Sequence, residues 1–332
     1  MRPANFTSSI VRAVFTNCCR NRLPSPPGRA QMKTSLTKPT QILVVHNPQA
    51  SAFKPQPLRS LMEKHFAGCQ VDFVECSRTE LAARLAPWLQ SDVQMIIAAG
   101  GDGTVADIAS ALPPDGPPVG ILPMGTGNVL VRELGIPLDL DQAAALAAGT
   151  HAVRHLDLLR VAERAYLISV SVGLSARAMR ETTPVRKKIF GKSSYLVTLF
   201  MNFFAMQPVA YGVEADGRPL QIRASDLMAA NCGILGYKEL RWWPAVQPDD
   251  GHLDLCYLEA KTGFAYLWVV INFLAGRYIR SERLNHFPVQ KSVWIKTPEG
   301  LPVQGDGDWI GTTPVQIHLE PRALKVVVPA GR

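Results

Sequence analysis

Ala98-Ala99-Gly100-Gly101-Asp102-Gly103-Thr104 follows the apolar run Val93-Gln94-Met95-Ile96-Ile97 and precedes Val105, Ile108, Ala109 and Leu112 at helical spacing. A short, β-branched-rich run of this kind fits a strand buried in a parallel sheet. Glycines at a strand-to-helix junction let the backbone approach an anion closely. The helix start adds unpaired N–H groups and a partial positive charge. A carboxylate inside such a cradle would repel phosphate unless a divalent cation sits between them. Asp102 therefore points to a metal–nucleotide rather than to phosphate alone. Taken singly, the run is also consistent with a tight turn whose Asp faces solvent.

A second junction follows about twenty residues on, at Gly120-Ile121-Leu122-Pro123-Met124-Gly125-Thr126-Gly127-Asn128. Val119 to Leu122 reads as another buried strand, and Val129, Leu130, Arg132 and Leu134 open another helical pattern. Two parallel strands ending in glycine loops place both loops at the carboxyl edge of one sheet, where open α/β sheets bind ligands. Thr126 and Asn128 would offer neutral donors to phosphate or ribose oxygens.

Working outward, strand and helix patterns alternate from Gln41 to about Arg154: Ile42–His46, a helix from Pro57 to Phe66, Gln70–Glu75, a helix from Thr79 to Leu89, and the two glycine units. Leu140–Ala148 is an alanine-rich helix ended by Gly149. Such alternation predicts a doubly wound parallel sheet flanked by helices. Beyond it the patterning turns to period two: His155–Val161, Tyr166–Val172, Val209–Ala215, Leu220–Ala224, Leu227–Asn231, Leu253–Leu258, Ser292–Lys296, Val315–Leu319 and Ala323–Val328. The expected architecture is α/β: an N-terminal nucleotide-binding domain over residues 41–154, and a mainly antiparallel β-sandwich over 155–332 with helical insertions at 176–206 and 262–277. Residues 1–40 are expected to be a disordered leader.

The 332 residues suffice for two domains, and 47% hydrophobic with 19% charged residues describes a globular chain with a sizeable core. Six cysteines show neither metal spacing nor a dense framework and read as reduced thiols of a cytoplasm. His151 and His155 are four apart, but on a strand they would not share a metal. The net charge is +8, and five arginines lie in residues 1–31, ahead of the first acidic residue, Glu63. That leader suits either a targeting presequence or an untranslated stretch before a start at Met32, and the latter is preferred. The most apolar runs, Tyr195–Met206 and Phe264–Ala275, are about twelve residues, against roughly twenty for a spanning helix. Gly191-Lys192-Ser193-Ser194 imitates the end of a phosphate-binding loop, but Arg186 stands where that motif needs Gly.

Gly-Gly-Asp-Gly-Thr (100–104), Gly-Ile-Leu-Pro-Met-Gly-Thr-Gly-Asn (120–128), then Arg132 and Leu134-Gly135-Ile136-Pro137 resemble the diacylglycerol kinase catalytic domain family, which includes bacterial lipid kinases and sphingosine and ceramide kinases. Asn47-Pro48, Asp249-Asp250-Gly251-His252-Leu253-Asp254 and Val303-Gln304-Gly305-Asp306-Gly307-Asp308 extend the resemblance from about Gln41 to Pro329. The resemblance implies an ATP- and Mg²⁺-dependent kinase of a diacylglycerol-like or sphingoid hydroxyl, with the second domain receiving the lipid. It implies that Gly101, Asp102, Gly103, Thr104, Val105, Ala106 and Asp107 hold the nucleotide with Thr126 and Asn128. Asp102 and Asp308 are the implied catalytic carboxylates, with Asp308 at the position of the family's general base. A structural Mg²⁺ is implied at Asp250 with carbonyls near Gln247 and His252.

This sequence departs from the family's usual residues at several positions: Ala106 for Asn, Asp107 for Glu, Asp308 for Glu, Ser175 for Asp, and Glu75 for Thr. The change at Asp308 removes one methylene, and a misplacement of about an ångström can cost about a hundredfold in rate. Asp306 is the other carboxylate within reach.

Arg177, Arg180, Arg186, Lys187, Lys188 and Lys192 precede the apolar run at 195–206, and Trp242-Trp243 follows Lys238 and Arg241. These suit peripheral contact of a cytoplasmic protein with an anionic membrane surface, or else a solvated face and a packed loop. Partners are thus a lipid substrate and no nucleic acid, with a second copy of the chain as a candidate. Two rivals remain: a soluble-substrate kinase resembling NAD kinase, and a lipid-binding regulatory protein with a decayed site.

Overall fold

The computed structural model describes residues 39–181, 208–234, 246–259 and 284–330. The leader up to residue 38, most of the basic run, the apolar runs at 195–206 and 264–275, the Gly191–Ser194 stretch, Trp242-Trp243 and the second helical insertion lie outside the described residues.

The first four strands are β1 (Gln41–His46), β2 (Gln70–Glu75), β3 (Met95–Gly100) and β4 (Val119–Pro123), all parallel in the order β2-β1-β3-β4. Every residue of β3 and β4 is buried, as expected of strands covered on both faces. Helices α1 (Pro55–His65), α2 (Leu81–Leu89), α3 (Asp102–Ala111), α4 (Val129–Leu134) and α5 (Leu140–Ala148) supply that cover. Leu58, Met62, Leu81, Leu85, Ile108, Leu130 and Ala144 pack with Ile42–Val45 and Met95–Ala99 in one apolar core. α2 starts at Leu81, two residues later than the sequence suggests, and α1 at Pro55, where proline suits a first helical turn. The chain leaves β1 for β2 on one side and reaches β3 on the other. A topological switch point therefore opens between the carboxyl ends of β1 and β3.

Strands β5 (His151–Val161), β6 (Arg164–Tyr166), β7 (Ser169–Gly173), β8 (Val209–Ala215), β9 (Arg218–Ala224), β10 (Asp226–Ala230), β11 (Leu253–Leu258), β12 (Leu284–Val289), β13 (Ser292–Lys296), β14 (Pro302–Gly305), β15 (Asp308–Thr312) and β16 (Val315–Pro329) follow, with α6 (Leu174–Glu181) after β7. One sheet, β12-β11-β10-β7-β14-β15, is antiparallel throughout. It faces β8, β9, β13 and part of β16 across a core built from Tyr211, Val213, Leu227, Leu253, Val293, Ile295 and Ile317. The expected α/β architecture with a C-terminal antiparallel sandwich is the observed one.

Three features differ from the sequence reading. The single strand expected at 166–172 is two, because the chain turns at Leu167-Ile168 and re-enters the other sheet. The two strands expected at 315–319 and 323–328 are one, β16, with an irregularity between Glu320 and Leu324. The boundary expected at 154/155 falls inside β5, which pairs with β16 from His151 to Arg160. β16 in turn meets β4 in parallel at Val326 and Val119, so one sheet runs through both halves.

Candidate active site

The two glycine loops lie against each other at the carboxyl ends of β3 and β4. A Cβ on Gly125 would come within 2.5 Å of the Gly101 Cα, and one on Gly101 within 3.0 Å of the Gly125 Cα. These glycines are thus needed for loop-to-loop packing. Gly103, on the first turn of α3, has open space where a side chain would project, and is the glycine a phosphate could approach. Asn47 at the end of β1 donates its amide to Thr104 Oγ1 at 3.4 Å, spanning the switch point.

Asp102 has partners the sequence did not foresee. Its carboxylate accepts the Val129 N–H and the Leu130 N–H, each at 3.0 Å, and so caps the start of α4 from the neighbouring loop. Burial raises its pKa, and the backbone donors oppose that. The cation bridge inferred from its position is no longer needed to explain the carboxylate, since two N–H groups already compensate it. Asn128 likewise differs. It is buried in the left-handed region, accepts the Gly125 N–H at 3.1 Å and donates to the Gly125 carbonyl at 2.9 Å, closing its own loop. Thr126 remains exposed, its hydroxyl 3.4 Å from Ser51 Oγ. Val105 and Ala106 are buried in the core, so only their backbone could face a nucleotide.

Asp107, Arg78, Arg164 and Asp308 form a charged cluster beside this cradle. Arg78 reaches Asp107 at 3.4 Å and Asp308 at 2.8 Å; Arg164 reaches the same pair at 3.2 and 3.8 Å. Burial raises the Asp107 carboxyl, while both guanidinium groups pull it down. Burial and Asp107 push the nearby Cys76 thiol up to about 11, leaving it protonated. Sequence reasoning missed Arg78 and Arg164. A lone arginine after a strand carries no motif, and only the fold brings positions 78, 107, 164 and 308 together.

Asp308 owes its place to the hairpin β14–β15. Asp306 and Gly307 both have positive φ, as a two-residue turn between twisted strands requires. The Asp306 carboxylate accepts the Leu167, Ile168 and Ser169 N–H groups at 2.8, 2.9 and 3.0 Å. Burial lifts its pKa to about 6 against those three donors. Asp306 is therefore occupied as an anchor, whereas the Asp308 side chain is 46% exposed.

The segment 247–252 is held by a residue not anticipated. The fully buried Asp157 accepts the Gly251 and Arg322 N–H groups at 2.7 Å each, and Arg154 binds Asp249 at 2.6 Å. An acid inside the apolar run Leu156–Leu159 was the signal available for Asp157. Asp250 accepts the His252 N–H, and burial together with Asp157 and Asp249 raises its pKa. A buried excess of negative charge suits a hard cation. Among the described residues no three His, Cys, Asp or Glu side chains converge on a metal position. A cation here would rest on Asp250 and on carbonyls such as those of Gln247 and His252. Cys69, Cys76, Cys232 and Cys256 carry thiols and are in no disulfide.

The family model for the diacylglycerol kinase catalytic domain matches residues 41–161, and that for the YegS C-terminal NAD kinase beta sandwich-like domain matches 168–328. The chain belongs to the bacterial diacylglycerol kinase and YegS-like lipid kinase family. It is 32% identical over 242 residues to a "Probable lipid kinase YegS-like" of Pseudomonas fluorescens, covering 70% of this chain and 77% of that one. It is 28% identical over 249 residues to a "Diacylglycerol kinase" of Staphylococcus haemolyticus, covering 73% of each. The fold matches a crystal structure of a "putative diacylglycerol kinase" of Bacillus anthracis with a TM-score of 0.73 at 23% identity, over 89% of this chain and 99% of that one. Kinases of this family use ATP.

Proposed function

We propose that this lipid kinase transfers the γ-phosphoryl group of ATP to a hydroxyl of a diacylglycerol-like or sphingoid lipid. The observation that carries the reading is the convergence of Asp308, from the hairpin turn of the second half, on the charged cluster beside the glycine loops of the first. Phosphoryl transfer asks little covalent chemistry of a protein; positioning and charge stabilisation dominate. The first turn of α3 with Gly103, Thr104 and Thr126 receives the phosphates, and Asp308 accepts the proton of the attacking hydroxyl. Mg²⁺ bound with the nucleotide would neutralise developing charge on the phosphates. Arg78 occupies Asp308 in the free protein, and a triphosphate is the stronger partner for a guanidinium fork. Exchange of Arg78 from Asp308 to phosphate would free the carboxylate as the nucleotide arrives.

Among the described residues no helix is long and apolar enough to cross a membrane. The basic positions 177–192 support action at an anionic membrane surface from the cytoplasm. Incubation with labelled ATP, Mg²⁺ and mixed micelles of diacylglycerol or sphingosine, with NAD as a soluble acceptor, tests the reading. Label in the lipid phase is expected. Label in NAD alone would make the protein a soluble-substrate kinase, and nucleotide binding without turnover would make it a regulatory protein. The short Asp308 side chain, held by Arg78, is the observation favouring that last outcome.

A further inference from the structure

A line of buried polar groups runs from the Asp306–Asp308 turn into the second sheet, and neither the glycine loops nor the charged cluster uses it. The Gly307 N–H donates to Gln304 Oε1 at 2.8 Å, and Gln304 Nε2 donates to Ser171 Oγ at 2.7 Å. Ser171 Oγ lies 2.6 Å from Ser175 Oγ. Ser175 donates its hydroxyl at 2.8 Å and its backbone N–H at 3.1 Å to Asp226 Oδ1. Four elements are joined: β14, β7, the first turn of α6 and β10. Ser171, Gln304 and Asp226 are all buried.

The sense of the line is fixed from both ends. A backbone N–H can only donate, so Gln304 must turn its oxygen to Gly307 and its NH₂ to Ser171. Ser171 then accepts from Gln304 and has its own proton free for Ser175, which passes its proton toward the carboxylate. Each donor meets an acceptor. Gln304 reaches this line because the regular β14–β7 ladder sets it opposite Ser171, while on its other side the β14–β15 register shifts between Val303 and Gln304 and leaves it opposite Trp309. Burying a carboxylate and two further polar side chains costs stability relative to an apolar filling, and a fully satisfied line fixes geometry in return. What it fixes here is the Asp306–Gly307 peptide group, one residue before Asp308.

We propose that Gln304, Ser171, Ser175 and Asp226 are positioning residues for Asp308, setting the Gly307 peptide and through it the direction in which the Asp308 carboxylate leaves the turn. The proposal rests on the reading of Asp308 as the group that accepts the hydroxyl proton. None of the four need touch nucleotide or lipid.

Full-length Gln304→Ala and Ser171→Ala test it by two independent readouts. By NMR, exchange of the Gly307 amide should quicken about tenfold or more while core amides keep their protection. In the lipid assay, kcat should fall by up to about a hundredfold, as for an ångström-scale misplacement, with the KM for ATP held. Combined with Asp308→Ala, neither substitution should lower kcat further, since the line acts only through that carboxylate. Unchanged Gly307 exchange in both variants overturns the proposal, as do losses that multiply with Asp308→Ala. Should Gln304→Ala lose its thermal transition, Gln304→Met fills the same volume and takes its place. If the wild type labels no lipid, the kinase reading fails, and the exchange measurement still decides whether the line holds the turn.

Discussion

The Asp306 carboxylate accepts three backbone N–H bonds, while that of Asp308 meets the guanidinium groups of Arg78 and Arg164. Asp308→Ala should therefore lower turnover by about 10²–10⁴-fold, as for loss of a general base, with nucleotide affinity retained. Asp308→Glu restores the missing methylene and should keep or raise turnover. Asp306→Ala should instead lower the melting temperature, because three buried donors lose their acceptor. Loss of activity in Asp306→Ala at unchanged melting temperature would move the base two positions upstream. Asp102→Asn puts an NH₂ against one of the two N–H groups that the carboxylate now caps. It should cost about 1–2 kcal/mol in urea denaturation as well as activity, whereas a metal-bridging role would spare stability. Burial pushes the Asp226 carboxyl from its ordinary 3.8 up to about 7, so the folded chain holds that proton more tightly than the unfolded one. The stability this group contributes is therefore lost as pH rises from about 4 to about 7. Asp226→Asn keeps an acceptor for Ser175 and removes the titration, so its urea midpoint should rise relative to wild type across that window. Parallel pH profiles would show that Asp226 does not titrate there.

At the scale of elements, the two strand–loop–helix units around Gly101 and Gly125 behave as one part. Asp102 on α3 caps α4, and each loop's glycine occupies the space a side chain would need on the other. Gly125→Ala should force the loops apart, lowering both melting temperature and nucleotide affinity. Gly103→Ala meets open space on a helix, where alanine is the better helix former, so stability should hold or rise. If phosphate lies against that turn, nucleotide affinity by calorimetry should nevertheless fall. Full affinity in Gly103→Ala would place the phosphates elsewhere along the edge. The hairpin β14–β15 shows the same coupling, with its turn held through Asp306 by the segment after β6 and through Gln304 by β7.

Across the whole molecule, β16 ties the halves together. It pairs with β5 over most of that strand's length, with β13 on its other side, and with β4 at Val326. Residues 41–161, the span of the catalytic-domain model, end in a β5 stripped of that partner and exposing Leu156, Leu158 and Leu159, which are buried in the full chain. A protein of residues 41–161 alone should show no cooperative thermal transition, while the full chain should melt as one unit. A sharp transition in the shorter protein would show that the first half folds independently.

The strands and helices of the first half were legible because burial on both faces leaves continuous apolar runs, and glycine punctuates their ends. The Asp306-Gly307 pair carries a turn signal of its own, because few residue pairs accept positive φ twice. The sequence also marked out Asp102, Asn128, Asp306 and Asp308 as residues of interest. Their division of labour was not legible, because a carboxylate's role depends on which N–H groups and cations face it, and those come from distant positions. Val129 and Leu130 claim Asp102, Leu167 to Ser169 claim Asp306, and Arg78 holds Asp308 from 230 residues away. Local pattern thus determined most of the elements, the fold class and the sheet edge where the two glycine loops meet. The tertiary structure alone decided which acids are taken up by backbone donors and which stays exposed, since desolvation and hydrogen bonding are set by through-space neighbours.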